Sequence, residues 1–184
     1  MEASQLSRRT FITGASSLAL SGCSNLQQLT NPRPYVDSHV HVWTSSTSSY
    51  PIAEGLDPKE VMVPPSFTDN DLLNTCRSEG VGRIVLIQMS FYKTDNRYML
   101  DRIAAAPSVF RGVAIIDHET EPDSIRQEMH RLKSLGISGF RLYAFEDKVA
   151  KWPDQPGIHA IWEEAVLTGQ SVCLLADPEV LPSI

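Results

Sequence analysis

The chain has 184 residues, a formal charge of −6 from 16 basic and 22 acidic side chains, and 42% hydrophobic residues. That balance excludes a wholly disordered or collagen-like chain. Without a Lys/Arg-rich tract it also excludes nucleic acid as the main partner, because phosphate binding needs clustered positive charge. No apolar run reaches the roughly 18 residues that a membrane-spanning helix needs.

Residues 1–22 read as an export signal. Arg8-Arg9 precede Thr13-Gly14-Ala15-Ser16-Ser17-Leu18-Ala19-Leu20, an uncharged stretch of small and apolar residues too short to cross a bilayer. The segment resembles a twin-arginine (Tat) signal, the route for proteins exported already folded. Leu20-Ser21-Gly22-Cys23 resembles a bacterial lipobox, which implies lipidation of Cys23 and a periplasmic or membrane-anchored lipoprotein. Contact with a membrane would then run only through that lipid anchor. Residues 23–34, rich in Gln, Asn, Thr and Pro, read as a flexible tether, and 35–184 as the folded domain. The two further cysteines, Cys76 and Cys173, are too few for a disulfide framework and read as buried free thiols.

From residue 35 onward, β-branched apolar runs alternate with amphipathic stretches. Strands are predicted at 35–43, 83–88, 109–116, 137–143 and 171–175, and helices at 68–79, 95–106, 122–135 and 157–168. Thr68 before Asp69 and Asp71 gives a helix start, and Asp95-Asn96 reads as the cap of the second helix. Runs such as Ile84-Val85-Leu86-Ile87 are apolar on both faces, as parallel strands covered by helices must be. Two closures suit this pattern: an open doubly wound sheet, or part of a (β/α)8 barrel. The first needs a Gly-rich phosphate turn after the first strand, and Trp43-Thr44-Ser45-Ser46 stands there instead. The second needs polar residues at the C-terminal strand ends, where His39, His41, Gln88 and Arg141 fall. The α/β class with a TIM (β/α)8 barrel is therefore the expectation. A full barrel takes about 250 residues, so about the first five β/α units are present and the domain reads as C-terminally incomplete.

Asp37-x-His39-x-His41 is the strongest chemical signal. A two-residue period puts all three side chains on one face, where two imidazoles can converge on one divalent cation. Asp37, one step deeper, would orient an imidazole by accepting its N–H. His118 follows the third strand at the correct end, whereas His130 and His159 fall in helices and read as surface residues. Arg141 alternates with Phe140 and Leu142, so it faces the barrel interior. There it meets either a structural carboxylate such as Asp37 or an acidic group of a substrate. Gln88 and Tyr92, around the loop that leaves the second strand, are the other candidate substrate contacts.

Asp37-x-His39-x-His41-x-Trp43, the Tyr-Lys-Thr-Asp-Asn loop at 92–96, Phe-Arg-Gly-Val-Ala at 110–114 and Gly-Phe-Arg-Leu at 139–142 together resemble the amidohydrolase-related proteins. More narrowly, they resemble the branch that holds 2-pyrone-4,6-dicarboxylate lactonase and sugar-lactone hydrolases. The resemblance implies a metal-dependent-hydrolase barrel, His39 and His41 as metal ligands, zinc as the first expectation, and Arg141 holding an anionic substrate. Lactonases of this branch also work without metal, so metal-independent chemistry stays open. The family's later-strand His and its proton-transferring Asp have no counterpart here. The general base is therefore expected beyond Ile184, and the chain as given is expected to be inactive.

The function expected is hydrolysis of a small carboxylated lactone or cyclic amide, with decarboxylation, also known in the superfamily, as a further possibility. The alternative is a non-catalytic exported lipoprotein that binds a small anion or a partner.

Overall fold

The computed structural model describes residues 35–184. The segments read above as an export signal (1–22) and a tether (23–34), with Cys23, lie outside the described residues.

Strand β1 (Tyr35–Val40) ends before His41, and Trp43 instead forms an isolated antiparallel bridge with Phe67. A short helix α1 (Pro58–Val61) starts where the Asp57 carboxylate accepts from the Lys59 N–H at 2.9 Å. Helix α2 (Asp69–Cys76) opens on a reciprocal cap. The Asp71 carboxylate accepts from Thr68 N–H at 2.8 Å, and Thr68 Oγ1 accepts from Asp71 N–H at 3.3 Å. Then follow β2 (Val81–Ile87), α3 (Arg97–Ala105), β3 (Phe110–Ala114), α4 (Pro122–Ser134), β4 (Ile137–Ala144), α5 (Glu146–Val149), α6 (Pro156–Thr168) and β5 (Ser171–Ala176). Helix α6 stops at Gly169, whose left-handed backbone (φ 68°) suits a residue without Cβ.

The five strands pair in the order β1-β2-β3-β4-β5, every pair parallel. A doubly wound sheet reverses its strand order near the middle, and this one does not. Strands that follow one another in sequence, each returned by a right-handed crossover, instead make the first part of a barrel wall. The architecture is a half-barrel of TIM type, as the polar strand ends predicted.

The helix-facing side carries the core. Ile84, Leu86, Phe110, Ala114, Phe140 and Leu142 are all buried there with Met99, Ile103, Ile125, Met129 and Ile161 from the helices. Each large side chain so buried contributes about 1.5–3 kcal/mol of transfer free energy. Val85, Ile87, Val113, Arg141 and Cys173 take the alternate positions and line a cleft on the opposite, inner face. A close approach of two backbones holds the turn that leaves β3. A Cβ at Gly157 would collide with the His118 carbonyl, so the start of α6 fixes that turn only because the residue there is glycine.

Candidate functional site at the C-terminal strand ends

The register of β1 breaks between Asp37 and Val40, which pair with Ile84 and Leu86. Three steps along β1 therefore match two along β2, the signature of a bulge. Paired residues of parallel strands share a face, so Asp37 lies on the helix side with Ile84. Its charge there helps raise the Cys76 thiol, after burial, the larger cause. The single face expected for Asp37, His39 and His41 is thus corrected: the bulge separates Asp37 from the histidines. Its carboxylate accepts from the His39 backbone N–H at 3.2 Å, which pins the bulge rather than an imidazole. That same placement removes Asp37 as the partner of Arg141.

His39 and His41 do converge. Their ring centroids stand 5.2 Å apart with planes at 80°. His41 Nδ1 lies 2.8 Å from the Ile87 carbonyl oxygen. A carbonyl can only accept, so Nδ1 carries the proton and Nε2 keeps its lone pair. Burial, followed by the charges of His39 and Arg141, lowers the His41 pKa against the Ile87 carbonyl, which raises it. The ring is held neutral, oriented and with one free nitrogen, which is what a metal asks of a histidine ligand. The pair fits a divalent cation as two of its ligands. Among the described residues no group of three or more His, Cys, Asp or Glu could hold a metal by itself.

Arg141 joins two clefts. With His39, Val85, Val113 and Cys173 it lines an inner cleft of about 380 Å³. With Lys93, His118, Tyr143 and Lys148 it lines a cleft of about 660 Å³ at the mouth. Among the described residues Arg141 forms no ion pair. Cys173 pairs with it across the β4–β5 ladder, and burial pushes that thiol up against the opposing effect of Arg141. A protonated thiol is a poor nucleophile.

Gln88 and Tyr92 are placed differently from expectation. Gln88 is buried and its amide N–H2 donates to the carbonyls of Lys93 and Asp95, at 3.3 and 2.7 Å. Tyr92 is buried too, and its hydroxyl accepts from the Thr44 N–H at 3.3 Å. Both brace the loop after β2, and neither lines the two clefts. Of the predicted cap, Asp95 accepts from the Arg97 N–H at 3.2 Å. Asn96 instead clasps β3: its side chain donates to the Ile115 carbonyl at 2.9 Å and accepts from the Ile115 N–H at 3.2 Å. His118 lines the mouth cleft, and His159 is exposed. His130 Nε2 meets Glu164 Oε1 at 2.7 Å between α4 and α6.

Lys93 and Lys148 were not legible as site residues. Lys93 owes its position to a positive φ of 48° that no sequence pattern announces. Lys148 sits on α5, a four-residue helix; the only sequence signal was its place just past the Arg141-x-Tyr143 strand end.

The described domain is similar to several solved structures. A candidate 2-pyrone-4,6-dicarboxylic acid hydrolase of Pseudomonas putida shares 24% identity at a TM-score of 0.61, over 77% of this chain and 48% of that one. An amidohydrolase of Burkholderia multivorans with bound zinc shares 13% at 0.60, over 80% and 51%. A 2,6-dihydroxybenzoate decarboxylase of Rhizobium shares 16% at 0.53, over 76% and 49%. At these identities the likeness establishes the fold, and this chain spans about half the length of each. The sequence profile of the amidohydrolase family matches residues 36–179, most of the chain. This protein belongs to the amidohydrolase family.

Proposed function

We propose that this chain supplies the first half of a hydrolytic site that opens a small carboxylated lactone or cyclic amide. The observation that carries the reading is the converging His39–His41 pair, with His39 lining one cleft together with Arg141, a cation without an ion-pair partner among the described residues. A divalent metal, with zinc the first choice, would supply Lewis acidity and a bound water of lowered pKa.

The chain's own residues do the rest of the work. Ile87, through its carbonyl, keeps the His41 proton on Nδ1 and the Nε2 lone pair free. Arg141 offers a planar fork to a substrate carboxylate and so fixes the ring relative to the histidines. Val85 and Val113 give the inner cleft an apolar wall, where such charge interactions are strongest. Water adds to the ring carbonyl, the ring C–O or C–N bond breaks, and the leaving oxygen or nitrogen takes a proton. We assign the proton-accepting carboxylate to a later strand, as the family resemblance implies.

The test is turnover of carboxylated lactones by the native protein, with the strand that carries the proton-accepting carboxylate present, beside its H39A and H41A variants. Loss of ring opening in both variants supports the reading, and unchanged turnover sinks it. Similarity to a decarboxylase makes the product informative: ring opening leaves every carbon in place, whereas decarboxylation releases carbon dioxide. We further propose, from residues 1–23, export by a Tat-type route and lipidation of Cys23. A C23S variant whose mass lacks a lipid present on the wild type supports this, and identical masses refute it.

A further inference from the structure

Because every strand pair is parallel, the turns that open the strands gather at the end of the sheet away from the histidines and Arg141. At that end β2 carries Arg83 and β3 carries Arg111. Arg111 pairs with Val85, and Arg83 stands two residues before Val85, so both take the inner face. With Val36, Pro107 and Ser108 they line a cleft of about 350 Å³. Neither arginine forms an ion pair among the described residues. Arg111 Nη1 donates to the Phe110 carbonyl at 2.8 Å and to that of Pro107, which ties the guanidinium to the turn that opens β3. The one acidic residue in the turns that open β2 to β5 is Glu79, which accepts from the Ser78 hydroxyl at 3.2 Å. Two guanidiniums on one face, with no carboxylate between them, call for an anion from outside.

The rest of this rim is apolar. Tyr35, Val36 and Leu135 are all exposed, Tyr35 over 73% of its surface. The Tyr35 N–H donates to the Gly80 carbonyl at 3.0 Å, and Leu135 lies in the turn before β4, so both stand at the same end as the arginines. Cations set among an exposed tyrosine and aliphatic side chains suit the interface of an anionic bilayer, where phosphate meets hydrocarbon. The chain also enters the domain here. Twelve backbone steps separate Cys23 from Tyr35. At a reach of at most about 3.5 Å per step, a lipid on Cys23 would hold this end within about 40 Å of the bilayer.

We propose that the N-terminal end of the sheet is a membrane-docking face: Arg83 and Arg111 bind phosphates of an anionic phospholipid surface, and Tyr35 and Leu135 enter its interfacial layer. The proposal rests on the reading of Cys23 as a lipid anchor and adds a second, protein-borne contact to it. An acyl anchor joined by a basic patch holds a membrane more firmly than the anchor alone. The histidine end then faces away from the bilayer.

Vesicle sedimentation of the full chain carrying C23S tests the face without the lipid. The C23S protein should bind phosphatidylcholine vesicles that contain phosphatidylglycerol more tightly than phosphatidylcholine alone, and high salt should weaken that preference. R83E/R111E should lower binding to the anionic vesicles by about tenfold or more, R83K/R111K should retain it, and Y35S/L135S should weaken it. R83M/R111M, which keeps the apolar stems, covers the case in which charge reversal disturbs the fold, and it too should bind less. All these proteins share residues 1–34, so the differences among them report on the domain. K93E/K148E makes the same charge change at the opposite end and should bind as the C23S parent does. A parent that shows no preference for anionic vesicles, arginine variants that bind as tightly as the parent, or an equal loss in K93E/K148E overturns the proposal. The lipid-bearing mass of the wild type decides the anchor separately, so either claim can fail without the other.

Discussion

His41 and Asn96 each do their work through backbone groups of a neighbouring strand. His41 gives its Nδ1 proton to the carbonyl at the end of β2, and the fixed tautomer is what makes the other nitrogen useful. Asn96 satisfies both the N–H and the C=O of Ile115 from inside the fold, so the loop after β2 cannot shift without opening β3. Replacing Asn96 by Ala leaves two buried backbone groups without partners and should cost about 2–4 kcal/mol of stability, read from denaturant unfolding. A loss below about 0.5 kcal/mol would contradict this role. Tyr98 gives a pH signature away from the site. Burial pushes its phenol up to about 12, with the charge of Asp69 adding to the effect. A folded pKa above the unfolded one means stability fully present below pH 10 and lost as pH rises through about 12. Alkaline unfolding of Y98F should show a shallower loss over that window; identical curves would contradict it.

Elements decide which of the sequence's hints meet. The helices and strands were legible because their periods and stops are local: the cap on α2, the Gly169 stop of α6 and the apolar run of β2 fell where the pattern put them. The His39–His41 pair and the inward Arg141 were legible for the same reason. The bulge in β1 was not, since it arises from the pairing of β1 with β2, and it carried Asp37 to the helix side. Gln88 and Tyr92 also escaped, because a polar side chain at a strand end can face the mouth or brace a loop, and only packing decides. The junction of α6 with the β3 turn is the element-scale weak point. Gly157→Ala places a methyl against the His118 carbonyl and should destabilise the fold by about 1–3 kcal/mol. It should also shift the His118 imidazole resonances, and a spectrum unchanged at His118 would mean that α6 does not set this turn.

Over the described residues the sheet is an open wall. Among the described residues β1 and β5 each pair on one side alone, and α6 turns Trp162, Val166 and Leu167 outward. Val166 and Leu167 keep 82% and 78% of their surface exposed. Unpaired strand edges beside an apolar helix face favour association. The 184-residue polypeptide should therefore self-associate at micromolar concentrations in sedimentation runs, and a V166K/L167E variant should do so less. A polypeptide that stays monomeric throughout would contradict that expectation. The histidines stand on β1 and just after it and Arg141 on β4, and the chain spans about half the length of the similar structures.

At the centre stands the proposal that His39 and His41, with Arg141 beside them, serve hydrolysis of a carboxylated ring. Its most direct test is ring opening of a panel of carboxylated lactones, 2-pyrone-4,6-dicarboxylate among them, by the native protein with the strand that carries the proton-accepting carboxylate present, and by its H39A/H41A double variant. The native protein should open at least one member of the panel, and the double variant should open none. Equal turnover by the two, or no turnover of any member by the native protein, would contradict the proposal.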